Sequence, residues 1–242
     1  MKYVRFGTYS GKENMQIDSD LLDSAIEAKS LEPIFRLYAW SPKCVSLGRN
    51  QGVGVNKGVN EGVNVGVNVG VEEFPNIDVV RRITGGRALL HDNEITYSYI
   101  TPVSIVPDGE KVSESYKYIS GILIDFFKTL GVNLEFGENK KISTKFNYCM
   151  LISTGADVCY QGKKIIGSAQ CRKNGYILQH GSILFGYDKP LLESLFGEEI
   201  PPDSITTVTE ILPNMTKEMF VEKFEEYLSA QFSANPNSSA LL

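Results

Sequence analysis

The chain has 242 residues, 42% of them hydrophobic and 22% charged, a composition ordinary for a soluble globular protein of one large domain or two small ones. Its net charge of −5 argues against non-specific nucleic-acid binding. No apolar run approaches the roughly 18–20 residues of a membrane span. The N-terminal MKYVRFGTYSG lacks a signal-peptide core, and Cys44, Cys149, Cys159 and Cys171 form no CxxC pair. Neither a zinc site nor a disulfide scaffold is indicated, and reduced thiols in a cytoplasmic protein are expected.

Along the chain, Ser10-Gly-Lys-Glu13 has capping-box spacing and predicts a helix from about residue 11, with Met15, Leu21, Leu22, Ala25 and Ile26 as its apolar stripe. Strands are expected at Pro33–Trp40 and Cys44–Gly48 around a Ser41-Pro42-Lys43 turn. Residues 54–73 hold five copies of a four-residue GVNx-type unit. A glycine per unit costs a helix about 1 kcal/mol each, and four residues are too few for a solenoid, so a surface connection is expected. Asp78–Ile83 and Glu94–Ile100 read as strands flanking Thr84-Gly-Gly86-Arg87. Lys111–Leu130 is the strongest helix, with Val112, Tyr116, Ile119, Leu123, Phe126, Phe127 and Leu130 at three- and four-residue steps and Gly131 as its stop. A short strand at Asn133–Phe136 and a basic loop carrying Cys149 follow. Asp157–Phe185 then reads as a β-hairpin turned at Asn174-Gly175. Helices at Asp188–Phe196 and Thr216–Phe232 come next, and SANPNSSALL reads as a disordered tail. Clustered strands favour an α+β fold over a doubly wound one.

Polar residues in the hairpin exceed what a structural hairpin needs: Lys164, Ser168, Gln170 and His180 all lie in or beside strands. Thr84-Gly85-Gly86 lets backbone approach a ligand closely and can present a nest of N–H groups, though a two-glycine turn is more often only a turn. The chain's two histidines, His91 and His180, both fall in glycine-containing motifs. Between Glu138 and Lys173, seven cations (Lys140, Lys141, Lys145, Lys163, Lys164, Arg172, Lys173) face two anions, Glu138 and Asp157, a local +5. This reads either as a solvated face or as a docking patch for an acidic partner.

Together these motifs resemble the biotin/lipoate protein ligase catalytic family. The resemblance rests on Gly7 with Glu13-Asn14-Met15 and Asp18, Ser46-Leu-Gly-Arg49-Asn-Gln51, Arg81-Arg82-Ile-Thr84-Gly-Gly-Arg87-Ala-Leu-Leu-His91-Asp92, Thr96-Tyr-Ser98, Gly162-Lys-Lys164-Ile-Ile-Gly-Ser168-Ala-Gln170 and Leu178-Gln-His180-Gly-Ser182. It implies one catalytic domain over residues 1–232, with an antiparallel-rich mixed sheet flanked by helices and a tail at 233–242. Arg87 in place of a third glycine, Ser-Ala-Gln170, and Cys149 fifteen residues before Lys164 resemble the cysteine-dependent octanoyl transferases. Met150 and Ser153-Thr154 depart from that branch, which has Cys-Phe and Pro-Ser. The implied reaction moves octanoate from octanoyl–acyl carrier protein to a lysine of a lipoyl-domain or glycine-cleavage H-type protein through a Cys149 thioester. Lys164 would favour the thiolate, and the local +5 would meet acidic carrier proteins. Arg82, Thr84, Gly85, Gly86, His91, Gly167, Ser168, Gln170, His180 and Gly181 would bind the acyl group. No cofactor or metal is implied, and Cys159 and Cys171 read as packing thiols. The alternatives are an ATP- and magnesium-dependent lipoate ligase on the same cradle, a carrier-to-carrier octanoyl or lipoyl amidotransferase, and a non-catalytic relative that binds acylated domains.

Overall fold

The structure, a computed structural model, describes residues 1–51, 74–138, 148–151 and 154–233. The GVNx repeat, Lys140, Lys141, Lys145, Ser153 and the tail past Ser233 lie outside them. Strand β1 (Lys2–Tyr9) runs into helix α1 (Gly11–Glu27), whose start is fixed by the expected capping box: Ser10 Oγ accepts from Glu13 N–H while Glu13 accepts from Ser10 N–H. The helix returns the chain to β2 (Ile34–Trp40), parallel to β1. This βαβ unit was not foreseen, because KYVRFGTY is a half-exposed edge strand without clean alternation.

β2 pairs antiparallel with β6 (Glu94–Pro102), β6 with β10 (Tyr176–Leu184), and β10 with β9 (Lys163–Lys173). β8 (Val158–Tyr160) and β7 (Glu135–Phe136) complete a seven-stranded sheet. The β9–β10 turn has positive φ at both Asn174 (49°) and Gly175 (80°), as a type I′ turn requires. A second such pair, Gln161 (50°) and Gly162 (76°), joins β8 to β9. A separate three-stranded sheet orders β4 (Asp78–Arg81), β3 (Cys44–Leu47) and β5 (Leu89–His91), with β3 parallel to β4.

Strand alternation divides the large sheet's residues by chemistry. Phe35, Leu37, Ile95, Tyr97, Ile177 and Ile183 face a core shared with α2 (Val112–Thr129) and α5 (Lys217–Ser233), where Phe126, Phe220 and Phe224 pack edge to face. On α2 the stripe is buried at Ile119, Leu123, Phe126 and Phe127, while Val112, at the first turn, is exposed. The opposite face carries Arg36, Tyr38 and Trp40 from β2, Glu94, Thr96 and Ser98 from β6, and His180 and Ser182 from β10. All eight are buried, and their partners on α1 and the small sheet include Asp18 and His91. Helix α3 (Lys189–Phe196), capped by Asp188 and ended by Gly197 at φ +64°, packs with the small sheet. The short α4 (Val208–Ile211) has its own capping box from Thr207 and Glu210.

Candidate active site

A buried polar layer against the large sheet would be costly unless every group had a partner. Two parallel chains of hydrogen bonds supply the partners. Asp18 on α1 meets Arg36 Nη1 at 2.8 Å, Tyr38 Oη at 2.8 Å, Ser98 Oγ at 3.0 Å and His180 Nδ1 at 3.2 Å. The other nitrogen of His180 stands 2.7 Å from Thr84 Oγ1. Glu94 accepts from Thr96 Oγ1 (2.8 Å) and Ser182 Oγ (2.6 Å) and faces His91 Nδ1 at 3.3 Å, while His91 Nε2 is 2.8 Å from Ser46 Oγ. Each histidine therefore turns Nδ1 to a carboxylate and Nε2 to a hydroxyl, which fixes ring orientation and tautomer together.

Burial alone would raise the Asp18 carboxyl, but His180, Arg36 and Tyr38 outweigh it and hold the group below the usual carboxylate range. Burial pushes His91 the other way, below the ordinary imidazole range despite Glu94, so it is neutral at pH 7. Its ring stacks on Trp40 with centroids 3.8 Å apart.

Arg82 ties the glycine turn to β3. Its Nε and Nη2 donate to Gly85 O, Nη2 also to Arg87 O, and Nη1 to Ser46 O and Ser46 Oγ. Among the described residues it has no carboxylate partner. Burial works against its charge, and Cys149 and Tyr116, both within electrostatic reach, oppose the effect. Gly86 has φ +91°, and a Cβ on Gly48 would stand 2.0 Å from Gly86 O, so the turn depends on glycine in two strands' connections.

Cys149 opens a 3-10 turn, Cys149–Leu151. Its N–H donates to Ala88 O (3.0 Å), and its carbonyl accepts from Lys164 Nζ (3.1 Å). Lys164 is 2% exposed and ion-paired with Asp157 at 3.0 Å. Asp157 also accepts from Thr154 N–H and Thr154 Oγ1 at 2.7 and 2.9 Å. Lys163, by contrast, reaches solvent and pairs with Asp203.

Two cavities meet at the cysteine. The inner one is bounded by Met15, Trp40, Leu89, Ala169 and both histidines, among others. The outer one is bounded by Gly86, Arg87, Tyr116, Asp157 and Lys164, among others. Cys149 and Ser168 border both.

Of the expected acyl-binding residues, Arg82, His91, Gly167, Ser168, His180 and Gly181 line the inner cavity, and Gly86 the outer. Thr84 lies buried behind His180. Gly85 offers its carbonyl to Arg82. Gln170 turns toward α2, bonding Gln179 and Ser115. Asp157, Glu94, Tyr116, Met15 and Trp40 were missed as site residues; only Met15 belongs to a quoted motif, and carboxylates far apart in sequence carry no local signal. The other thiols are set apart: Cys44 is buried with its thiol pushed up to about 12, Cys159 is 2% exposed, and burial raises Cys171. No cluster of three or more His, Cys, Asp or Glu able to hold a metal is present among the described residues.

Three of the four described cations of the expected basic patch are paired with carboxylates. Lys163, Lys164 and Lys173 pair with Asp203, Asp157 and Asp23, and Arg172 donates to Gly109 O, Glu110 O and Ser115 Oγ.

The model of the lipoyl protein ligase A/B catalytic domain matches residues 10–233. The chain belongs to this family. Octanoyltransferase LipM of Clostridioides difficile is 36% identical over 201 residues, covering 80% of this chain and 69% of the relative. LipM of Staphylococcus aureus is 33% identical over 228 residues, covering 91% and 75%. The chain spans about two thirds of the length of such relatives, 65% for that of Carboxydothermus hydrogenoformans. The fold matches P. falciparum LipL1 in complex with lipoate (TM-score 0.67, 18% identity, 99% of this chain and 65% of that one). It also matches the bipartite lipoate protein ligase of Thermoplasma acidophilum (TM-score 0.63, 17% identity, 96% and 85%).

Proposed function

We propose that the protein is an octanoyltransferase of lipoate biosynthesis, working through a thioester on Cys149. The observation that carries this reading is the position of Cys149 at the junction of an apolar inner cavity and an open outer one. An octanoyl chain buried inside would contribute about 0.8 kcal/mol per methylene, while its carbonyl stays at the sulfur. The Cys149 thiolate attacks the thioester carbonyl of octanoyl–acyl carrier protein; the new C–S bond forms, the old one breaks, and the carrier thiol leaves with the proton Cys149 gave up. The amine of a lysine on a lipoyl-domain or glycine-cleavage H-type acceptor then attacks. A C–N bond forms, the Cys149 C–S bond breaks, and the proton shed by the amine returns to the sulfur. Lys164, held by Asp157, fixes the Cys149 carbonyl; the Arg82 guanidinium, within electrostatic reach of Cys149, supplies positive charge near the sulfur and the developing oxyanion. No cofactor takes part.

Incubation with octanoyl–acyl carrier protein and no ATP is expected to add one octanoyl mass, labile to hydroxylamine, on the Cys149 peptide. Cys149→Ser should abolish transfer. An adduct on Cys159 or Cys171, or strict dependence on ATP and free octanoate, would overturn the reading.

A further inference from the structure

The polar groups around the sulfur are almost all committed to one another. The Arg82 nitrogens are taken up by Gly85, Ser46 and Arg87. Ser168 Oγ is paired with Tyr97 Oη at 2.7 Å, and Tyr97 Oη also accepts from Gln179 Nε2 at 2.6 Å. Both Asp157 oxygens are occupied, by Lys164 and by Thr154. Tyr116 differs. It stands on α2, half-buried, and borders the outer cavity with Cys149, Lys164 and Ser168. Its own hydrogen has no acceptor among the described residues. Cys149 and Asp157 both act on it electrostatically, and burial raises its pKa, so it stays protonated throughout the working range of pH.

We infer that the Tyr116 hydroxyl donates a hydrogen bond to the acyl carbonyl oxygen at Cys149 and to the oxyanion formed there. This rests on the Cys149 thioester reading and adds a catalytic residue to it. A phenol that stays protonated and borders the same cavity as the nucleophile is a donor of the kind that stabilises a tetrahedral intermediate. No proton leaves the tyrosine; it donates a hydrogen bond in both half-reactions.

Tyr116→Phe keeps the ring and removes the donor. Its single-turnover rate of Cys149 acylation by an octanoyl-pantetheine thioester, followed by intact mass, is expected to fall about 100-fold. The substrate concentration for half-maximal rate and the thermal midpoint should stay at wild-type values. Alkylation of Cys149 by iodoacetamide, which forms no oxyanion, should keep its wild-type rate. An acylation rate within about threefold of wild type, or an equal fall in acylation and alkylation, would overturn the inference. Absence of any Cys149 adduct in the wild-type protein would instead sink the thioester reading itself, and the tyrosine's role with it.

Discussion

At Gly86, with φ +91°, a Cβ would stand 2.9 Å from Arg82 Nη2, so alanine there is strained in its backbone and crowds the guanidinium that holds the turn. At Gly85 a Cβ would meet nothing within 4 Å, and the residue's φ lies outside the left-handed region. The two neighbours should therefore separate experimentally. Gly86→Ala is expected to cost about 1 kcal/mol or more in urea unfolding and to depress transfer. Gly85→Ala should unfold like wild type, so any loss of turnover in it reports a substrate approaching that backbone. Sequence alone treats the pair as one motif, since the difference lies in φ and in what stands above each Cα. Lys163 and Lys164 show a similar split. One residue of register along β9 sends the first to solvent and the second to Asp157.

Between elements, the decisive contact is Asp18, which joins α1 to β2, β6 and β10 through Arg36, Ser98 and His180. Its folded pKa lies below the unfolded value near 3.9, so its contribution is complete above about pH 4 and is lost as pH falls toward the folded value. His91 acts earlier. Because its folded pKa is depressed below about 6.5, the unfolded chain binds the proton first, and stability already declines as pH drops under that value. Calorimetry over a pH series should show the melting temperature falling in two stages, beginning below about 6.5 and continuing below about 4. A flat profile between pH 7 and 3 would contradict this account. Asp18→Asn should remove the second stage and cost about 3–5 kcal/mol, as breaking a buried ion pair does. The histidines could be picked out from their motifs, but their partners could not. Asp18 lies 162 residues from His180, and Ser46 lies 45 from His91, separations that only the fold closes. Tyr116 was hidden for a different reason: it sits at core spacing on α2, where an aromatic reads as packing.

Across the whole molecule, the motif order in the chain was enough to indicate the α+β fold and the family, because five separated motifs converge on one layer. The parallel βαβ entry and the balance of surface charge were not legible, since pairing partners for Lys163 and Lys173 come from residues 40 and 150 positions away. These two lysines already have acidic neighbours, so Lys163→Ala and Lys173→Ala should each change the KM for the proposed octanoyl–acyl carrier protein donor less than about threefold, measured at low salt. The GVNx repeat bridges β3 and β4, parallel neighbours whose four-residue ladder spans only about 13 Å. Deleting two of its five units should leave turnover within about tenfold, because loop-closure cost changes slowly with length. The junction of the two cavities at Cys149 has a kinetic consequence. In the proposed transfer through Cys149, with the inner chamber filled by the acyl tail, the departing thiol and the arriving amine must share the outer vestibule. Donor and acceptor are thereby obliged to take turns, giving ping-pong kinetics in which an excess of either carrier obstructs the other at a common doorway.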